Sequence, residues 1–207
     1  MQKNFSAVLE QAGVVPVLVI EKIGDALPLA EALVEGGLNV LEITLRTEVA
    51  LAAVEQIARH LPDAHVGTGT VLNGDDLRRS ADAGATFAVS PGATEQLLDA
   101  AENGEVPLLP GAANPSEVMR LLERGYRYQK FFPAQAAGGV PMLKSIGGPL
   151  AQVKFCPTGG IGPGNAKDYL SLPNVVCVGG SWMAAANLVQ EKNWAEITRL
   201  AKEASAL

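Results

Sequence analysis

Tyr128-Gln129-Lys130-Phe131-Phe132-Pro133-Ala134 is the stretch from which the fold is read. It is aromatic-rich, ends at a proline and reads as a short buried strand. Alternation places Lys130 and Phe132 on one face and Gln129, Phe131 and Pro133 on the other. Segments of helical period flank it in sequence, so both faces of its sheet should be covered, as in parallel α/β folds. Three readings of Lys130 follow. Its stem can pack while its head reaches water, it can pair with a buried carboxylate, or desolvation can favour the uncharged amine and make it a nucleophile. The flanking phenylalanines and the downstream proline favour the third.

Working outward, the same beat recurs. Runs rich in β-branched and apolar residues at Val14–Ile20, Asn39–Leu45, His65–Val71, Phe87–Ser90, Val106–Leu109, Val153–Pro157 and Val175–Val178 alternate with Ala/Leu/Glu-rich segments. Helix starts are expected at Asp25, Asn73, Thr94, Asn114-Pro115 and Asn193, and stops at Gly36-Gly37, Gly84 and Gly125. Residues 2–12 form a short leading helix. Eight strand–helix units of about 25 residues match a minimal (β/α)8 barrel with a short N-terminal helix, one domain spanning 1–207. A doubly wound open sheet rarely keeps so even a beat.

The 207 residues are 48% hydrophobic and 18% charged, with a net charge of −6. Arg78-Arg79 is the longest basic run, so nucleic acid and anionic membrane surfaces are poor partners. Cys156 and Cys177 lie in apolar runs and read as buried free thiols of a reducing compartment. No run has the length of a membrane span, and the opening residues lack the apolar core of a secretory signal. A cytoplasmic enzyme is the expectation.

Chemistry in a barrel belongs at the carboxyl ends of the strands. Leu41-Glu42-Ile43-Thr44-Leu45-Arg46 alternates, sending Glu42, Thr44 and Arg46 toward the interior and the apolar set toward the helices. A buried Glu42 is either paired, with Arg46 or Lys130, or used in proton transfer. Gly67-Thr68-Gly69-Thr70 offers close backbone approach to a ligand plus a hydroxyl. Ser90-Pro91-Gly92 and Leu109-Pro110-Gly111 read as sharp exits from strands. Thr158-Gly159-Gly160 and Gly179-Gly180-Ser181 place a glycine pair after each of the last two strands. The second pair leads into a short helix beginning at Ser181, and exposed amides with a helix N-terminus suit an anion. Rival lysines are less well placed: Lys154 starts its strand, Lys22 lies in a polar turn, and Lys144 and Lys167 fall on helices. Neither His60 nor His65 sits at a strand end of the right polarity. No cluster of metal-ligand type and no dinucleotide fingerprint is present, so no metal or cofactor is expected.

Taken together, Gly-Val-Val-Pro-Val (13–17), Leu-Glu-Ile-Thr-Leu-Arg-Thr (41–47), Gly-Thr-Gly-Thr-Val-Leu (67–72), Ser-Pro-Gly (90–92), Lys-Phe-Phe-Pro-Ala (130–134), Cys-Pro-Thr-Gly-Gly-Ile (156–161) and Gly-Gly-Ser-Trp (179–182) resemble one family over essentially the whole chain. It is that of the class I 2-dehydro-3-deoxy-6-phosphogluconate (KDPG) aldolases, which also act on 4-hydroxy-2-oxoglutarate (KHG). The resemblance implies Lys130 as the Schiff-base lysine and Glu42 as the general acid/base. It implies Arg46 and Thr70 at the keto-acid end, with Pro91, Phe132 and Thr158 also in the substrate pocket, and Gly159, Gly160, Gly180 and Ser181 as the phosphate cradle. It further implies a homotrimer acting on a phosphorylated keto acid. Two departures stand out: Thr68, where the family pattern has alanine, and Gly111-Ala112-Ala113-Asn114, a stretch variable in the family. Competing readings are an aldolase for the 6-phosphogalactonate epimer or the unphosphorylated acid, a metal-dependent aldolase or phosphate-barrel epimerase, and a non-catalytic phosphometabolite-binding barrel.

Overall fold

The computed structural model describes residues 3–207. Helix α1 (Lys3–Ala12) runs directly into strand β1 (Gly13–Leu18); Gln2, included in the expected leading helix, lies outside the described residues. There follow α2 (Ile23–Glu35), β2 (Val40–Thr44), α3 (Ala50–His60), β3 (His65–Gly69), α4 (Gly74–Asp82), β4 (Phe87–Val89) and α5 (Glu95–Glu102). The second half holds β5 (Leu108–Leu109), β6 (Gly111–Ala112), α6 (Pro115–Glu123), β7 (Tyr128–Phe131), α7 (Gly139–Gly147), β8 (Lys154–Pro157), α8 (Ala166–Leu170), β9 (Cys177–Gly180), α9 (Ala186–Gln190) and α10 (Trp194–Ser205). Among the described residues no helix is long and apolar enough to cross a membrane.

Strand pairing is parallel throughout, in two curled arcs ordered β5-β4-β3-β2-β1-β9 and β6-β7-β8. Single parallel bridges, Phe155 to Val175 and Thr158 to Gly179, join β8 to the segment of β9. Pro110 alone separates β5 from β6. Its missing N–H interrupts the ladder, yet its carbonyl still accepts from Lys130 N at 2.9 Å. The expected exit at Leu109-Pro110-Gly111 is therefore a break within a strand that resumes and pairs Gly111 with Lys130.

Alternation along the strands divides the apolar residues into two layers. Leu41, Ile43, Phe131 and Phe155 pack with the helices. Val15, Val40, Phe87, Val89, Leu109, Cys156 and Cys177 turn the other way and pack on each other, and α1 covers them with Phe5 and Leu9. The Phe5 ring stacks on Phe87 with centroids 4.9 Å apart, and the Tyr128 hydroxyl donates to the Glu10 carboxylate. The leading helix thus closes the amino-terminal end of the strands, opposite the ends where the site lies. Both cysteines are buried and free. A hydrogen bond with Cys156, then burial, holds the Cys177 thiol well above its usual range.

Asn73, Thr94, Asn114 and Asn193 each accept the N–H three residues on, as their positions before amphipathic segments predict. At Asn114 the cap is completed by Pro115 in the first turn and by the Glu117 carboxylate, which takes the Ala113 N–H at 2.7 Å. Asp25 does not cap. Helix α2 begins two residues before it with Lys22 in the cap position and no side-chain cap bond, so Asp25 sits in the first turn, where its charge still suits the helix dipole.

Candidate active site

Glu42 and Lys130 reach the same interior point from the two different arcs. Glu42 sits mid-strand in β2, its Cα in register with Val17 of β1 and Gly67 of β3. Lys130 sits in β7 between Gly111 and Cys156. Their side chains are 4% and 7% exposed, and Lys130 Nζ donates to Glu42 Oε1 at 3.1 Å. The ammonium also lies 5.4 Å from the centroid of the Phe132 ring, within cation–π range. Desolvating two charges costs several kcal/mol per ion, and their attraction rarely does more than offset it. A hydrophobic pair of similar volume would hold the strands as well, so this pair is better accounted for by chemistry than by stability.

Glycine at position 69 is what lets the carboxylate stand there. A Cβ on Gly69 would lie 2.2 Å from Glu42 Oε1, and one on Gly67 would lie 2.4 Å from the Phe87 ring. Expected to admit a ligand, these two glycines instead make room for protein side chains on the interior face of β3. Thr68 points the other way and donates to Ser80 Oγ at 2.8 Å, and Ser80 donates in turn to Asp76 O. The departure from the family's alanine is thus satisfied within the helix layer.

The remaining predicted residues are placed as follows. The Thr44 hydroxyl donates to Leu18 O at 2.9 Å and so ties the end of β2 to β1. Arg46 lies beyond the end of β2, exposed, and forms no ion pair with Glu42. Thr70 is half-buried and holds φ = 59°, a left-handed conformation that costs a β-branched residue about 1–3 kcal/mol. Pro91 and Phe132 line one cavity of about 280 Å³ together with Gly111. Thr158 is 6% exposed and its Oγ1 has no partner among the described residues. It faces Gly179, where a Cβ would lie 2.3 Å from that oxygen. An orphaned buried hydroxyl is costly unless a ligand completes it.

Gly159 and Gly160 hold φ = 102° and 73°, a succession that demands glycine. The Gly160 amide donates to nothing among the described residues, while Asn165 pins the loop by donating to Gly160 O and accepting from Gly162 N. The bridge from Thr158 to Gly179 sets this turn beside Gly180 and Ser181. Gly180 gives space to the Trp182 indole, its notional Cβ falling 2.0 Å from the ring. The helix expected from Ser181 is a single 3-10 turn, Trp182–Ala184, ended by extended Ala185 before α9. Its dipole is correspondingly small, leaving backbone amides and the Ser181 hydroxyl as the groups that could meet an anion here.

Other lysines are elsewhere. Lys22, Lys144 and Lys167 are exposed, and Lys154 donates to Pro173 O at 2.6 Å. Both histidines are exposed. Among the described residues no three His, Cys, Asp or Glu side chains gather in a metal-binding group.

Comparison with known proteins bears on this arrangement directly. The family model for KDPG and KHG aldolase matches residues 5–200. The chain belongs to the KDPG and KHG aldolase family. Among relatives of this aldolase family, the 2-dehydro-3-deoxy-phosphogluconate aldolase of Pseudoalteromonas atlantica is 52% identical, covering 100% of this chain and 98% of its own. The KHG/KDPG aldolase of Escherichia coli K12 is 51% identical over 96% of this chain and 93% of its own. Among solved structures, KDPG aldolase from Legionella pneumophila, with pyruvate captured at low pH as a covalent carbinolamine intermediate, superposes with a TM-score of 0.94 at 52% identity, covering 96% of each chain. The aldolase of Zymomonas mobilis ZM4 with 3-phosphoglycerate gives 0.95 at 51% identity, covering 100% of this chain and 97% of that one.

Proposed function

We propose that this chain is a class I aldolase that cleaves 2-dehydro-3-deoxy-6-phosphogluconate to pyruvate and glyceraldehyde 3-phosphate, with side activity on 4-hydroxy-2-oxoglutarate. The observation that carries the reading is the buried 3.1 Å contact between Lys130 Nζ and Glu42 Oε1. A nucleophilic amine and a proton acceptor within reach of the same few substrate atoms are what a Schiff-base aldolase requires. The names of relatives about half identical over nearly the whole chain support the substrate.

In the proposed sequence the uncharged Lys130 amine attacks the C2 ketone, Glu42 being the base at hand for its proton. Glu42 returns that proton to the carbinolamine hydroxyl, which leaves as water and gives a protonated imine. Glu42 takes the proton of the C4 hydroxyl, the C3–C4 electron pair moves into the imine, and the bond breaks. Glyceraldehyde 3-phosphate leaves, and Glu42 gives its proton to C3 of the enamine. Water then hydrolyses the imine to release pyruvate and the lysine. Arg46 and Thr70 hold the substrate carboxylate, while Pro91, Phe132 and Thr158 bound the reacting carbons. The amides of Gly159, Gly160 and Gly180, with Ser181, hold the phosphate, whose binding energy helps orient the reacting carbons. No cofactor is needed.

The finer architecture belongs to the same proposal. The bridges from β8 to β9 and the single-residue break at Pro110 favour closure of the two arcs into one (β/α)8 barrel, a single catalytic domain over 1–207. A cytoplasmic homotrimer follows from the family resemblance. The test is pyruvate formation from KDPG, its 6-phosphogalactonate epimer and KHG, with wild type and Glu42→Gln. KDPG should be the best substrate, and the variant should lose turnover by at least about 100-fold. Preference for the epimer, or turnover in the variant within a few-fold of wild type, would refute the substrate or the role of Glu42 respectively.

A further inference from the structure

A second cavity, of about 310 Å³, opens beside the anion-binding turn and is used by none of the residues so far given a role except Ser181. Val17, in register with Glu42, and Val19 form its apolar wall, and Ser181 lies at one side. Two charged residues of the loop between β1 and α2, Glu21 and Lys22, and Asp25 in the first turn of α2 bring charge to its lining. Because Pro16 pairs with Gly180, this loop and the β9 turn rise from neighbouring strands at the same end. Lys22 forms no ion pair among the described residues, although two carboxylates share its cavity. Its ammonium is therefore available to a ligand.

The geometry points to Lys22 as the residue that selects phosphorylated substrates. The inference rests on the aldolase reading above and adds the charge that reading lacks, since amides and hydroxyls alone carry no net positive charge to oppose a phosphate dianion. The two carboxylates sharpen the point. With Lys22 present the wall carries one net negative charge; without it two remain, repelling the phosphate across a cavity open to solvent. Removing the cation therefore penalises the phosphorylated substrate alone, and removing Glu21 has the opposite sign.

The experiment compares wild type, Lys22→Gln, Lys22→Arg and Glu21→Gln in KDPG cleavage and in borohydride trapping of pyruvate, which has no phosphate. Lys22→Gln should raise KM for KDPG about tenfold and Lys22→Arg should recover most of it, as for loss and return of a charge-assisted contact. Glu21→Gln should lower that KM, and half-saturation by pyruvate should stay within about twofold in every variant. An unchanged KM for KDPG in Lys22→Gln overturns the inference. So does an equal weakening of KDPG and pyruvate, which marks a merely structural lysine. Wild-type protein that traps pyruvate but does not cleave KDPG overturns the substrate reading first, and this inference with it.

Discussion

Replacing Gly69 by alanine perturbs the site through one added methyl group. The new Cβ would fall 2.2 Å from Glu42 Oε1 and 2.8 Å from its Cγ, whereas ordinary contact begins at 3.4 Å. The carboxylate must retreat by 1.2 Å, because β3 cannot. Gly69 is in register with Thr44, and its carbonyl accepts Leu45 N at 2.8 Å. Gly69 is not among the glycines with positive φ, so alanine is tolerated by the backbone and the effect is confined to Glu42. Misplacing a reacting group by about 1 Å costs on the order of 100-fold in rate. Overpacking should cost about 1–3 kcal/mol in stability, leaving the chain folded. The assay is kcat for KDPG cleavage beside borohydride trapping of pyruvate. We expect kcat to fall about 100-fold while trapping on Lys130 persists. A folded Gly69→Ala protein with turnover within a few-fold of wild type would refute the reasoning that Glu42 acts from where it stands.

Lys130→Met leaves Glu42 buried without its cation, and urea unfolding should show a loss of about 3–5 kcal/mol, most of it recovered in Lys130→Met/Glu42→Gln; a loss below about 1 kcal/mol contradicts a buried pair. Thr68→Ala, which restores the residue usual in the family, removes a bond to Ser80 that is buried but away from the site. It should cost about 1 kcal/mol in unfolding free energy and leave kcat/KM unchanged; a fall in activity would show that Thr68 reaches the interior. Thr70→Gly releases the left-handed strain at φ = 59°, so the variant should lose no stability while KM for the keto acid rises. A thermal scan showing marked destabilisation would mean that the threonine side chain is held by packing.

Much of this was legible in the sequence because it follows from period and polarity. Alternation in two short strands set Glu42 and Lys130 on the interior face, and caps at Asn73, Thr94 and Asn114 were readable from one residue type before an amphipathic run. What escaped depends on contacts between segments distant in sequence. Gly67 and Gly69 look the same whether a ligand or a neighbouring side chain fills the space, and only the register of β2 on β3 decides for Glu42. Pro110 punctuates a chain in one dimension, but in three the strand resumes past it, because Gly111 still finds Lys130. The helix expected at Ser181 fails after one turn where Trp182 folds back over Gly180. Phe5 stacking on Phe87 joins residues too far apart for any local pattern to connect. A glycine at alternate positions of a strand, beside a strand bearing a lone carboxylate, is the signal that could have marked Gly69.

The central claim is that the Lys130 amine joins covalently to the keto carbon of the substrate. Incubation with pyruvate and borohydride, followed by peptide mass mapping, tests it most directly. One reduced adduct is expected, on the peptide containing Lys130, and none in Lys130→Ala. An adduct on Lys22 or Lys154, or no adduct in an active enzyme, would contradict it.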